Sequence, residues 1–177
     1  MTERPTIKTE RLLLRPFTMT DASAVANFLK DGDIAIMTKN IPYPYDIRTA
    51  ENWISTHEPL YNENKLVNFA IVLYASNILI GTIGLQIRKQ ISEAELGYWI
   101  GKPYWNQGFC TEAAKAALQY GFNDIGLSKI SANTLNENLR SKSVLKKIGM
   151  HFENINEPNY SKDTKLDELM TCYITKP

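Results

Sequence analysis

The sequence predicts a mixed α+β fold, and three observations predict it. Runs rich in β-branched and aliphatic residues occur early, in the middle and late in the chain. Segments with helical apolar spacing fall between them, and the middle runs are separated by a turn short enough for a hairpin. The 177 residues contain no repeat, low-complexity tract or linker-like stretch, so a single domain over residues 1–177 is expected. A content of 44% hydrophobic and 22% charged residues is ordinary for a globular chain with its own core.

Taken in order, residues 9–15 read as a first strand, stopped by Pro16. Thr20 and Asp21 are cap candidates for a helix whose Ala24, Val25, Phe28 and Leu29 share a face. A loop containing Pro42, Tyr43, Pro44 and Tyr45 leads to a second helix over about residues 49–61, with Ala50, Trp53, Ile54 and His57 at helical spacing. Residues 66–74 and 78–87 are strands flanking Ala75, Ser76 and Asn77, which read as a hairpin turn; residues 93–100 add a third strand. A helix over 111–122 turns Ala114, Ala117, Leu118 and Phe122 inward, and a strand over 129–134 follows. A short basic helix over 141–148 is closed by Gly149. Residues 151–155 and 168–175 finish the chain as two strands, paired across the polar segment 156–165.

A net charge of +1 gives no general attraction to nucleic acid or anionic membrane. Cys110 and Cys172 lie far apart with no CxxC or Cys/His cluster, which reads as two reduced, packed thiols in a reducing compartment. His57 and His151 show no metal-ligand spacing, and no metal is expected. The first eleven residues are too polar for a signal peptide, and no apolar run approaches the roughly 18 residues of a membrane span. A cytoplasmic protein is the expectation.

Chemistry concentrates in Tyr98-Trp99-Ile100-Gly101-Lys102-Pro103-Tyr104-Trp105-Asn106-Gln107-Gly108-Phe109-Cys110-Thr111-Glu112-Ala113. A strand ends there in a polar turn and a helix starts at once. Such a junction aims free backbone N–H groups and the positive end of a helix dipole at one point, an anion site built from main chain. Gly108 lets that backbone approach a ligand closely. The nucleotide fingerprints GxGxxG and GxxxxGK[ST] are absent, which argues against dinucleotides and nucleoside triphosphates. An ordinary strand–helix connection accounts for the same residues.

The passage from Glu95 through Tyr98, Trp99 and Ile100 to Thr111 resembles the acetyl-CoA signature of the GCN5-related N-acetyltransferase (GNAT) superfamily. Within it the chain resembles the RimJ/RimL-type branch, which acetylates ribosomal-protein N-termini. Thr9-Glu10-Arg11-Leu12-Leu13-Leu14-Arg15 with Asp21, and the block Asn138-Leu139-Arg140-Ser141 through Lys147-Ile148-Gly149, match that branch in the right order. Trp105 and Cys110 stand where the superfamily's loop more often has Arg or Gln and a small residue. The resemblance implies a GNAT-like fold: a central, mostly antiparallel twisted sheet of about six or seven strands flanked by about four helices. It implies acetyl-CoA as cosubstrate and a primary amine as acceptor, foremost a protein or peptide N-terminal α-amine. A polyamine or aminoglycoside-like amine, and a CoA-binding module without catalysis, are the alternatives. No nucleic-acid or membrane partner is implied, and relatives are monomers or homodimers.

The resemblance also assigns residues. Tyr98, Trp99, Ile100, Asn106, Gln107, Gly108, Phe109, Cys110, Thr111 and Asn138 are the implied cofactor-binding set, with backbone N–H groups near Trp99 and Ile100 as oxyanion and pantetheine partners. Glu95 is the implied base for the amine; a solvated or cross-strand-paired carboxylate is the alternative. Ser141 is the implied proton source for the departing thiolate, in place of a tyrosine that many relatives carry four residues later, where this chain has Leu145. Ser141 also suits a helix N-cap or first turn, and Asn138 an Asx-turn. Arg140, Lys142, Lys146 and Lys147 either approach the 3′-phosphate or form a solvated face. Tyr43 and Tyr45 are placed at the acceptor pocket. A reactive thiol at Cys110, activated by the helix N-terminus, is set against plain packing.

Overall fold

A computed structural model describes residues 4–38, 41–153 and 169–176. Its strands are β1 (Ile7–Lys8), β2 (Leu12–Arg15), β3 (Leu66–Leu73), β4 (Ile78–Arg88), β5 (Glu93–Ile100), β6 (Lys129–Leu135), β7 (His151–Glu153) and β8 (Leu169–Thr175). They form one sheet in the order β1-β2-β3-β4-β5-β6-β8-β7, and each pair is antiparallel except β5 with β6. The helices are α1 (Ala22–Leu29), α2 (Ile47–Ser55), α3 (His57–Asn62), α4 (Phe109–Tyr120) and α5 (Leu139–Lys147). No helix among the described residues is long and apolar enough to cross a membrane.

The sheet separates two cores because side chains alternate across each strand. Leu12, Leu14, Phe69, Ile83, Leu85 and Leu96 pack with α4 and Leu145 of α5 on one face. Ala70, Val72, Leu79 and Trp99 pack with Phe17, α1 and α2 on the other. Register breaks between Ile71 and Val72, leaving Ile80 as the extra residue of a bulge on β4. Beside it, Gly81 has no room for a side chain, because a Cβ would collide with the Trp99 carbonyl. The bulge therefore seats the end of β5 directly against β4.

Several expectations are corrected. The sheet has eight strands rather than six or seven. The first strand, expected over 9–15, is interrupted: Thr9–Arg11 turn, with Thr9 N–H donating to the Leu12 carbonyl and the Thr9 hydroxyl accepting from Leu12 N–H. The helix expected over 49–61 begins earlier, where Asp46 caps it through Thr49 N–H (2.7 Å), and breaks at Thr56 into α2 and α3. Counted as one broken helix, that pair leaves the expected four. The first helix buries Ala22, Val25, Ala26 and Leu29, with Ala24 and Phe28 at its margin. The 3₁₀ turn Met19–Asp21 that leads into it carries a capping box of Thr18 and Asp21, reinforced by the two-pronged Arg15–Asp21 ion pair, while Asp21 makes no side-chain cap bond to α1 itself. Helix α4 starts at Phe109 rather than 111 and passes into a π-turn over Gly121–Ile125. Helix α5 ends with Gly149 at φ 85°, and Met150 N–H bonds the Leu145 carbonyl, a Schellman closure. The expected pairing of the last two strands is present between β7 and β8; residues 154, 155 and 168 and the segment 156–165 lie outside the described residues.

His57 is 2% exposed beneath Phe17 and Trp53, whose rings meet it edge-on. Asn68 places its amide nitrogen 3.1 Å from Nε2 while its carbonyl oxygen accepts from Thr82 Oγ1. With the Asn68 amide as donor, Nε2 is the acceptor and the ring proton is on Nδ1, which has no partner among the described residues. Burial foremost, and the charge of Arg4, lower the pKa to about 4. A proton on Nε2 would also face the Asn68 N–H₂. From pH 6.5 downward the unfolded chain binds a proton that the folded one refuses, so stability falls with pH until about pH 4. The expected loss over that window is as much as about 3 kcal/mol. Urea melts from pH 7 to 4 measure it, and His57→Gln, which keeps an acceptor for Asn68, should flatten the slope. An equal slope in both proteins would contradict the assignment. The depressed carboxyl groups of Asp21 and Glu112 lose their stabilisation only at lower pH, where they protonate.

Candidate active site

The parallel pairing of β5 with β6 covers only Glu93↔Lys129, Ala94↔Ile130 and Glu95↔Ser131. Beyond it β5 continues beside β4 as far as Ile100, and β6 beside β8 as far as Leu135. The two strands therefore splay. Gly101 N–H donates to the Ile80 carbonyl on the β4 side, and Ser92 C=O accepts from Ser128 N–H on the β6 side. Alternation along the antiparallel ladder then turns the polar groups of Gly97 and Trp99 to β4, and those of Leu96, Tyr98 and Ile100 into the gap. Trp99, expected as a backbone donor, thus has its N–H directed into the ladder; Tyr98 and Ile100 present theirs. Trp105 Nε1–H caps the Ile100 carbonyl at the mouth.

Helix α4 opens into the same gap. Its N-cap is Gly108 at φ 81°, a left-handed conformation that side chains resist, after Asn106 at φ 60°. Glu112 N–H is the first to bond within the helix, to the Gly108 carbonyl (3.0 Å), so Phe109, Cys110 and Thr111 carry N–H groups without intrahelical partners. No side chain caps them.

A strap from the N-terminal turn holds this loop. Arg11 Nη1 donates to the Gln107 carbonyl (3.0 Å), Nε to Glu112 (2.7 Å), and the guanidinium lies over the Phe109 ring at 4.5 Å. Glu112 also accepts from Arg11 N–H and the Thr9 hydroxyl. Burial opposes ionisation of Glu112, but these donors outweigh it and hold its pKa below the usual range.

Across the gap, Asn138 caps α5 by accepting from Ser141 N–H (3.1 Å). Ser141 is therefore a first-turn residue and not the cap. Its hydroxyl lies 2.9 Å from the Tyr98 hydroxyl. Glu95 faces the α1–α2 side, where Asn133 Nδ2 donates to Oε1 (2.9 Å) and Arg88 stands 3.6 Å from Oε2. The cross-strand pairing that stood as the alternative for Glu95 is present, and the residue also borders the cavity.

That cavity, of roughly 790 Å³, runs through the splay from α4 and α5 to α1 and α2. Glu95, Tyr98, Trp99, Ile100, Asn106, Gly108, Phe109, Cys110, Thr111, Asn138 and Ser141 all border it; Gln107 does not, and turns its amide to the Pro103 carbonyl. Tyr45 borders the far end, while Tyr43 faces solvent at 65% exposure. Of the basic cluster, Arg140 stacks on Trp105 at 4.0 Å, Lys142 bonds Asn136, and Lys147 borders the cavity. Sequence reasoning missed Arg11 as a loop anchor, Asn133 as a partner of Glu95 and the Tyr98–Ser141 contact; no local pattern marks any of them. Among the described residues no cluster of His, Cys, Asp and Glu is arranged to hold a metal.

Chemically, the site offers unpaired N–H groups for an anion at one end, a carboxylate at the other, and hydroxyl and backbone donors between. The sequence matches the acetyltransferase (GNAT) domain over residues 11–151. It is 35% identical to the uncharacterized N-acetyltransferase YnaD of Bacillus subtilis (strain 168), over 83% of each chain. An acetyltransferase (GNAT family) from Bacillus anthracis superposes with TM-score 0.77 at 30% identity, covering 96% of both chains. Mycobacterium smegmatis RimJ, in complex with CoA-disulfide, superposes with TM-score 0.83 at 20% identity, covering 97% of this chain and 88% of its own.

Cys110 tests the electrostatics of the helix start. Burial pushes its pKa up to about 12, against the lowering a helix N-terminus would give, and Cys172 rises to about 11. Iodoacetamide at pH 8 should alkylate folded Cys110 at least about 10³-fold more slowly than a free thiol. Mass spectrometry of the labelled protein measures this; labelling at the free-thiol rate would restore the reactive-thiol reading.

Proposed function

The chain belongs to the GNAT acetyltransferase family, and from that premise we propose that it moves an acetyl group from acetyl-CoA to a primary amine, foremost the N-terminal α-amine of a protein or peptide. The observation that carries this reading is the cavity through the splay, which joins the start of α4 to Glu95 on the opposite face. The residues fit the cosubstrate: Gly108 supplies an open backbone cradle, and Phe109, Cys110 and Thr111 supply donors for a pyrophosphate. RimJ, which shares the fold, is itself a CoA complex.

When bound, acetyl-CoA supplies a thioester whose carbonyl an amine can attack. In the proposed mechanism Glu95 accepts the proton of the incoming ammonium through Oε2, the oxygen that Asn133 does not hold and that Arg88 approaches only to 3.6 Å. The N–H groups of Tyr98 and Ile100, turned into the gap, face the developing oxyanion. Ser141 gives hydrogen to the departing sulfur. Asn138, whose Oδ1 is committed to its cap, keeps its N–H₂ for the pantetheine arm. Arg11 holds the loop that presents the α4 donors.

The acceptor half disfavours polycations. Its carboxylates, Asp33 and Glu95, already pair with Lys102 (2.6 Å) and Arg88, while Ile34, Ile41, Tyr45 and Trp53 supply an apolar wall. Thiol release over a panel of N-terminal peptides, polyamines and aminoglycosides tests the assignment. Peptide turnover supports it; turnover of polyamines or aminoglycosides alone replaces the acceptor, and CoA binding without turnover leaves a binding module. Glu95→Gln should lower kcat about 10²-fold or more with acetyl-CoA affinity unchanged. Arg11→Met should raise the KM for acetyl-CoA about tenfold, equivalent to one charge-assisted hydrogen bond, and leave kcat near wild type.

A further inference from the structure

Tyr98 sits in the gap on the α4–α5 face, packed against the core there, and its side chain crosses to α5. Its hydroxyl meets Ser141 twice, at 2.9 Å from Oγ and 3.4 Å from the backbone carbonyl. Both residues border the cavity. Either hydroxyl can donate across the 2.9 Å contact, while the Ser141 carbonyl beside it only accepts. With the phenol donating to Ser141 Oγ, the serine hydrogen is free to point elsewhere. One turn further along α5, Leu145 is fully buried in the core and offers no polar group.

A serine that gives up its hydrogen unaided becomes an alkoxide, a costly species in a partly buried site. We propose that Tyr98 is a positioning residue that acts through Ser141, aiming the serine hydrogen at the departing sulfur and replacing it as it leaves. This rests on the acetyltransferase reading of the same cavity. The protons balance. Glu95 takes one from the ammonium to free the attacking lone pair and passes it to solvent, then takes a second from the same nitrogen as the adduct becomes the amide. Ser141 passes its hydrogen to sulfur as the carbon–sulfur bond breaks and its electron pair moves onto sulfur. Tyr98 passes its own hydrogen to Ser141 Oγ; of the two protons Glu95 releases, one returns through solvent to restore the phenol and the other is the net proton of the reaction. Burial, the largest influence, raises the Tyr98 pKa well above its ordinary value, so the phenol keeps its hydrogen until the step that uses it.

Tyr98→Phe removes one oxygen and keeps the ring in the core. Its kcat should fall about 10-fold to 100-fold with the KM for acetyl-CoA within twofold of wild type. Ser141→Ala should cost at least as much, and the double variant no more than Ser141→Ala alone, because one residue works through the other. Calorimetry supplies a readout without turnover. Wild type should bind CoA more tightly than desulfo-CoA, and Tyr98→Phe should lose most of that preference while binding desulfo-CoA as wild type does. Multiplicative kinetic losses, or an unchanged preference for the thiol, would overturn the role of Tyr98. An equal loss of affinity for both ligands would mark it as structural and overturn it as well. Wild-type protein that binds neither ligand would remove the acetyltransferase assignment first, and this inference with it.

Discussion

The parallel contact between β5 and β6 runs from Glu93↔Lys129 to Glu95↔Ser131 and then stops, while each strand keeps its outer neighbour to Ile100 and Leu135. A sheet that ends its own pairing in the middle leaves backbone donors and acceptors without a strand opposite, which is costly unless something else satisfies them. The gap links two faces that separate cores would otherwise keep apart. It brings the start of α4, on one face, within one cavity of a carboxylate on the other.

What keeps the gap from closing is a set of side-chain spans. Asn133 reaches from β6 to Glu95 on β5, and Thr171 of β8 holds Asn133 in turn (2.8 Å). On the other face the Tyr98–Ser141 contact joins β5 to α5. At the mouth Trp105 is bonded to the last carbonyl of β5 and covered by Arg140 of α5. Each span fixes a group to which the proposed acetyl transfer assigns a task, so rigidity and the proposed chemistry draw on the same contacts.

The strands from 66 to 100 were legible because their composition and the turn between them are local signals; the structure moves their ends by one residue at most. Two of the three sequence blocks that carried the family resemblance border one cavity, and the first holds the loop and helix start beside it through Thr9 and Arg11. What local pattern could not supply were contacts between distant residues. The turn at Thr9–Arg11 interrupts an apparently continuous strand because Thr9 and Arg11 are drawn to Glu112. Which N–H of β5 is free depends on register with β4, which composition does not encode, so the sequence points only to the neighbourhood of Trp99 and Ile100. His57 was placed at helical spacing correctly, but its burial and its Asn68 partner follow from how α3 meets β3.

The Arg11 strap has a consequence for how the protein is made. Arg11 and Glu112 are 101 residues apart. At synthesis rates of about 5–20 residues per second, Arg11 is made roughly 5–20 s before its partner exists. Pairing of β2 with β3 and of β3 with β4 becomes available well before then, since those strands lie earlier in the chain. The loop before α4 thus takes its final shape against a framework already laid down. A nascent chain released before α4 begins would hold β1 to β5 and none of the N–H groups of Phe109, Cys110 and Thr111.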